Sequence, residues 1–253
     1  MAHTEKIWYF SKSIEHEFHY NGNYGAKGEK RAARKKRTPE QIKKQNATNR
    51  KNYVRRLIKM NFDIGDYWIT LKYPKGTRKL LEDVQKDIRR FADNMRKAYK
   101  RNNADLKYIY RIEIGKRGGI HIHIIINRIR GRTGTDILVE RYWKHGRPNF
   151  TLLYEEGGYD QLASYLTKEA EADADAVKAR GYVPSRNLVK PVPEKKTYFR
   201  RTVERLIKNG PTASEGFVID KDSIISGVNQ FTGMSYLYYT EIRVKSRERT
   251  DDG

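Results

Sequence analysis

Residues 107–127 hold two runs of alternating character joined by glycines, and this pairing restricts the fold more than any other stretch. The first run, KYIYRIEI (107–114), puts Tyr108, Tyr110, Ile112 and Ile114 on one side and Ile109, Arg111 and Glu113 on the other. The second, IHIHIIIN (120–127), puts Ile120, Ile122, Ile124 and Ile126 on one side and His121, His123 and Asn127 opposite. Two period-two runs flanking the link GKRGG (115–119) read as a β-hairpin. Matching the apolar sides around a turn centred near Arg117 sets Glu113 against His121 and Arg111 against His123. Directly opposed residues hold their Cβ atoms about 4.5–5.5 Å apart. Glu113, His121 and His123 therefore gather on the polar side of the hairpin.

The flanking sequence supplies the rest of a sheet-and-helix domain. YWITLKY (67–73) alternates as a strand, and residues 78–100 space Leu81, Val84, Ile88, Phe91, Met95 and Ala98 as one face of a helix. A polar connection leads to a further strand at 149–154. Gly157-Gly158 then breaks the chain before a helix at 159–174 with Leu162, Leu166 and Ala170 along one side. This order predicts an α+β fold, a central antiparallel sheet with helices packed on one face. Residues 61–178 form that domain, preceded by a basic arm and helix over 1–60. Residues 179–253 follow as a linker and small C-terminal extension. Within it 184–196 reads as a Pro- and Lys-rich linker, 198–210 as a short helix, and 217–225 and 235–243 as strands. No internal repeat is present.

The charge is unevenly placed. The chain of 253 residues carries a formal net charge of +22, and residues 26–60 hold 14 Lys and Arg against two Glu. An imbalance of this size calls for a polyanion, and nucleic acid is the polyanion that neutralising side chains serve best. Residues 22–37 read as a flexible basic arm. Thr38, Pro39 and Gln41 then form a helix start with a capping box, running to about Met60. A basic helix whose apolar patch is only Val54, Leu57 and Ile58 suits the DNA backbone better than a core. Lys35, Lys36, Arg37, Lys43, Lys44, Arg50, Lys51, Arg55 and Arg56 are the expected contacts there, with Lys72 and Arg111 on the strands.

Several classes are excluded. With no cysteine there is no disulfide, Cys-ligated zinc or thiol nucleophile. No apolar stretch approaches the roughly 20 residues that span a bilayer, and the N-terminus lacks a signal-peptide core. No membrane association is expected. GKRGG lacks the spacing of a nucleotide-binding phosphate loop.

Two imidazoles and a carboxylate suit Mn²⁺, Mg²⁺, Fe²⁺ or Zn²⁺ with positions left open for substrate oxygens. In the helix SYLTK (164–168), Tyr165 and Lys168 are three apart and so neighbours on one face. Tyr165 also borders the Leu162/Leu166 stripe, so spacing alone equally allows an amphipathic core tyrosine. The ordered set of Glu113, GGIHIHIII (118–126) and SYLTK (164–168), with YWITLKY (67–73) as first strand, resembles the HUH endonuclease superfamily, named for His–apolar–His. It is most similar to the single-tyrosine rolling-circle replication initiators, over about residues 38–170.

The resemblance implies that His121, His123 and Glu113 hold a divalent metal, Mn²⁺ or Mg²⁺. Tyr165 is then the nucleophile that nicks and rejoins single-stranded origin DNA, assisted by Lys168, with Tyr159 a weaker candidate. It implies a cytoplasmic protein in a bacterial host, acting for a plasmid or phage-like element. Because the initiators' fused helicase domain is absent, a host helicase and a host polymerase are the expected partners. Two rival readings share these features. A transposase or relaxase uses the same nicking chemistry, and a non-catalytic RNA-recognition-type module has the same layout with aromatics on its sheet.

Overall fold

The computed structural model describes residues 3–22, 37–115, 119–131, 133–154, 159–168, 181–230 and 232–244. In chain order the elements are β1 (His3–Tyr9), β2 (Ser13–Tyr20), α1 (Pro39–Asn61), β3 (Tyr67–Lys72), α2 (Leu81–Arg101), β4 (Tyr108–Ile114) and β5 (Ile120–Ile126). Then follow α3 (Thr135–Tyr142), β6 (Asn149–Leu152), α4 (Asp160–Thr167), β7 (Val183–Pro184), β8 (Glu194–Tyr198), α5 (Arg200–Asn209), β9 (Phe217–Val228) and β10 (Ser235–Arg243). The α+β class expected from the sequence is present, built on two antiparallel sheets. No helix among the described residues is long and apolar enough to cross a membrane.

The chain divides into two compact units, Ile42–Lys190 and Met1–Gln41 joined with Pro191–Gly253. The first unit carries the hairpin. Its sheet runs β6-β3-β5-β4-β7. The register is the one the alternation dictates, with Glu113 opposite His121 and Arg111 opposite His123. On one face Ile69, Leu71, Ile122 and Ile124 pack under Val84, Ile88, Phe91 and Met95 of α2, and under Leu138, Val139 and Trp143 from α3 and its end. Each such side chain buried stabilises the unit by about 1.5–3 kcal/mol before the entropy of ordering is subtracted.

The expectation of helices on a single face holds for α2 and α3, whereas α1 and α4 occupy the opposite face. There Val54, Leu57 and Ile58 of α1 join Ala163 and Leu166 of α4 over Ile109 and Ile125. The reading of α1 as a backbone-binding helix rather than a core element is corrected for its C-terminal half. Val54 and Ile58 are wholly buried, while residues 39–50 are exposed. The sequence suggested otherwise because three apolar residues in a long basic helix form too thin a stripe to reveal a packed end. The capping box does form, with Gln41 N–H donating to Thr38 Oγ1 at 3.3 Å and Thr38 N–H to Gln41 Oε1 at 3.0 Å.

The 128–148 connection contains α3, which sequence pattern missed. The 184–196 stretch is not a free linker throughout. Ser185 is buried, Leu188 joins the core of the α1/α4 face, and Glu194 opens β8.

The second unit is a sheet ordered β8-β1-β2-β10-β9. Residues 3–20, expected as part of an N-terminal arm, form its inner hairpin. Phe18, Leu237 and Tyr239 pack with Val203, Leu206 and Ile207 of α5. Beside them His16 is buried between two carboxylates, with Nδ1 2.7 Å from Glu5 Oε1 and Nε2 3.1 Å from Glu241 Oε1. The strands at 217–225 and 235–243 are found as β9 and β10, the former longer than expected.

Candidate active site

Alternation along three adjacent strands sets Trp68, Thr70 and Lys72 of β3, His121, His123 and Ile125 of β5, and Ile109, Arg111 and Glu113 of β4 on one face. One end of that face is apolar, and α4 lies across it by burying Ala163 and Leu166. The other end is polar. Tyr165 falls at the border between them. Its ring meets His123 edge-on with centroids 4.8 Å apart, and Trp68 edge-on at 5.7 Å. Trp68 in turn stacks on His123 at 5.5 Å and 16°.

The hydroxyl of Tyr165 donates to Glu113 Oε2 and lies 2.7 Å from His123 Nε2. His123 Nε2 and Glu113 Oε2 are themselves 3.1 Å apart. Thr70 Oγ1 meets the other ring nitrogen, His123 Nδ1, at 3.2 Å. This contact orients the ring so that Nε2 faces the cluster, the kind of outer support a ligating histidine needs. His121 is exposed, its ring 6.1 Å from that of His123. Lys72, exposed, pairs across the strands with His121.

The electrostatics follow from partial burial. Burial pulls His123 below its ordinary value against the opposing pull of Glu113, which favours the neutral, ligating imidazole. Burial pushes Glu113 up, but the Tyr165 hydrogen bond and the charges of His123 and Arg111 outweigh it and hold the carboxyl below the usual range. Burial, then the hydrogen bond and charge of Glu113, push the Tyr165 phenol far up. At rest it is a protonated donor to a carboxylate.

Arg111 has a different place from the one expected. It is 7% exposed, and its Nη1 donates to the carbonyls of Tyr165 at 3.0 Å, Leu166 at 3.2 Å and Lys168. These are the carbonyls that a helix end leaves without partners. The guanidinium also complements the negative end of the helix dipole. Arg111 thus ties the end of α4 to β4 and is withdrawn from DNA. Arg56, at 8% exposed, is likewise buried. Lys51 Nζ pairs with Asp160 at 2.9 Å, and Arg55 lies 4.0 Å from the same carboxylate. Arg37, Lys43, Lys44 and Arg50 are exposed, and Lys35 and Lys36 lie outside the described residues.

Lys168 is not on a helical face shared with Tyr165. The helix ends at Thr167, and Lys168 caps it with extended backbone, exposed at the end. Tyr159 is buried in the α1/α4 core with φ +64° at the helix start. The chain thus brings Tyr165, Glu113 and His123 onto one point and leaves His121 and Lys168 at its rim. Sequence reasoning missed Trp68, Thr70 and the tethering role of Arg111. The first two were legible as the alternate side of YWITLKY once that strand is paired with β5.

The donor set is of the right chemistry for a divalent metal: two imidazoles and a carboxylate on one face, with Nε2 of His123 and Oε2 of Glu113 converging. Among the described residues, though, no three His, Asp or Glu side chains are gathered closely enough to hold an ion. The Tyr165 hydroxyl occupies the point of convergence.

A family model of replication-associated proteins of the ORF2 type matches residues 66–170, a span running from the start of β3 beyond the end of α4. Every residue of the cluster lies within it. No curated protein and no solved structure matches the chain.

Proposed function

We propose that Tyr165, Glu113, His121 and His123 form the active centre of a metal-dependent single-stranded DNA endonuclease that initiates rolling-circle replication of a plasmid or phage-like element. The observation that carries this reading is the Tyr165 hydroxyl held 2.7 Å from Nε2 of His123 and hydrogen-bonded to Glu113. It joins a nucleophile to two metal-type ligands on one point. The match of residues 66–170 to a replication-associated family supports the initiator role.

His121, His123 and Glu113 would hold Mn²⁺ or Mg²⁺. When bound, the metal polarises the non-bridging oxygens of the scissile phosphate. Tyr165 leaves the point on which His123 and Glu113 converge before they can serve as ligands, and its proton passes to solvent as it does so. Its oxygen then attacks phosphorus in line. The tyrosyl O–P bond forms, the P–O3′ bond breaks, and the 3′ oxygen takes up a proton to become a primer. The strand stays linked to Tyr165 through its 5′ phosphate, so a later 3′-OH can reseal it. Lys168, three residues on, supplies positive charge that lowers the cost of forming the phenolate. The exposed basic residues Lys43, Lys44 and Arg50 grip the DNA backbone, and a host helicase and polymerase complete the replication step.

The test is incubation of the full chain with a labelled single-stranded oligonucleotide library and Mn²⁺, followed by denaturing electrophoresis. The expected result is a protein–DNA adduct that disappears in Tyr165→Phe. An adduct of equal yield in Tyr165→Phe, or cleavage without any adduct, overturns the nucleophile assignment.

A further inference from the structure

The opposite face of the same sheet carries a second feature. β4 lies toward the sheet edge, next to only the two-residue β7, and Tyr108, Tyr110 and Ile112 on the α2 side are only partly covered. By alternation these residues point away from Arg111 and Glu113, so they lie behind the Tyr165 cluster. They floor a cavity of about 1050 Å³ between α2 and the 183–187 segment. Its volume is at the upper end of ordinary ligand pockets, which run about 300–1,000 Å³.

The walls are cationic. On α2, Arg89, Arg96 and Lys100 are spaced by seven and four residues and share one stripe of the helix. From Arg89 to Lys100 that stripe runs roughly 16 Å. The opposite wall carries Arg186, held rigidly in place by its neighbour. Ser185 N–H donates to Tyr108 O at 2.8 Å, and Ser185 Oγ accepts from Tyr108 N–H at 3.1 Å. All four cations are exposed, and one carboxylate, Asp105, faces them. Arg89, Lys100 and Arg186 form no ion pair among the described residues. Arg96 has only an exposed pairing with Asp93 at 2.5 Å, the kind of pair that contributes little. The floor offers two half-buried tyrosine rings with centroids 6.0 Å apart and tilted by 31°.

We infer that this cavity is a second nucleic-acid site, which holds a segment of single-stranded DNA with bases against Tyr108 and Tyr110 and phosphates against Arg89, Arg96, Lys100 and Arg186. Aromatic rings beside a cationic wall are what sequence-tolerant single-strand binding requires, since every base has a π face and every nucleotide a phosphate. An apolar ligand would leave four cations desolvated and unmatched. The choice of DNA as the strand rests on the nuclease reading above. The site lets the protein hold the strand on one side of the sheet while chemistry occurs on the other.

The test uses the full chain in EDTA, so that no strand is cut, with a fluorescein-labelled oligothymidylate of about eight nucleotides. Anisotropy titrations over a range of salt give the slope of log affinity against log salt. Each phosphate contact in a single strand contributes about 0.7 to that slope. Arg89→Ser/Arg96→Ser should reduce it by about 1.4 and Arg186→Ser by about 0.7. His121→Ala/His123→Ala should leave it unchanged. All these side chains but His123 are exposed, and unchanged melting temperatures of the arginine variants show that the fold is intact. Ultraviolet cross-linking should label the tryptic peptide Tyr108–Arg111. An unchanged slope in both arginine variants, or cross-links that avoid that peptide, overturns the inference. If no Tyr165 adduct forms while the arginine variants lose slope, the nuclease reading fails and this site stands. If the adduct forms and the slope holds, only this site fails.

Discussion

Replacing Arg111 with methionine keeps most of the aliphatic volume and removes the guanidinium that ties the end of α4 to the sheet. Its Nη1 serves the carbonyls of Tyr165, Leu166 and Lys168. That nitrogen has two hydrogens, so at most two full bonds are lost, each worth about 1.5–3 kcal/mol with a charged donor. Two effects reduce the sum. Burial holds the Arg111 guanidinium below its ordinary basicity, so part of its desolvation cost is recovered on removal. Lys168 is exposed, so water can reach the last carbonyl. The expected loss is about 2–3 kcal/mol. α4 has eight residues, too few to persist alone, so the loss falls on local opening of this helix. Opening should rise about 30- to 150-fold. Hydrogen exchange read by mass spectrometry on residues 160–167, with the buried β5 as internal reference, measures this directly. Arg111→Lys should be intermediate, because a point charge cannot reproduce the planar fork. Exchange in 160–167 that stays at the parental rate in Arg111→Met refutes the tether and with it this account of how Tyr165 is positioned.

Four further outcomes are expected. Mn²⁺ at about a hundred times its dissociation constant should stabilise the parent by about 2.7 kcal/mol and raise its Tm, while His121→Ala/His123→Ala should show no metal-dependent shift in the same melt. Ile58→Ala, at a position of 0% exposure, should cost about 2–5 kcal/mol in urea denaturation; a near-neutral result would mean that the end of α1 is not core. Gly146→Ala should destabilise by about 1–3 kcal/mol, because its Cβ would collide with the Lys72 carbonyl that also accepts from Trp143 Nε1 at 3.1 Å; parental stability in chemical denaturation would rule out that close approach. Burial pushes Asp87 up, but Lys79, the Tyr73 hydroxyl 2.8 Å away and His145 outweigh it and hold the carboxyl below its ordinary 3.8. A depressed folded value means the stabilisation is present above pH 3.8 and is lost as pH falls through the folded value. The Tm of the parent should therefore fall more steeply below about pH 4 than that of Asp87→Asn, and parallel curves would contradict the assignment.

Much of the site was legible because β pairing has a period of two and a hairpin has one register that matches its apolar sides. That is why Glu113 met His121 and Arg111 met His123 before any coordinates were considered. The helices missed or misjudged share a different cause. α3 is short, and its buried residues are only Thr135, Leu138 and Val139. The buried end of α1 rests on three side chains in a basic helix. β1 and β2 were invisible because the side they bury carries His3, Glu5 and His16 as well as Ile7 and Phe18. Ionisable groups that satisfy one another look like a solvated surface to any reading based on hydropathy.

By itself the sequence determined which side chains share a face: His121, His123, Arg111 and Glu113 on one side of the hairpin, Tyr108 and Tyr110 on the other. Only the tertiary structure decided what covers each face. α4 brings the Tyr165 hydroxyl onto Glu113 and His123, turns Arg111 from a DNA contact into the anchor of that helix, and leaves His121 exposed. α2 leaves β4 partly bare and so opens the cavity behind the site. The physical reason is that periodicity is set by backbone geometry within one element. The cover over a face is set by long-range packing between elements, in which buried charges and hydrogen bonds are matched only when distant segments meet.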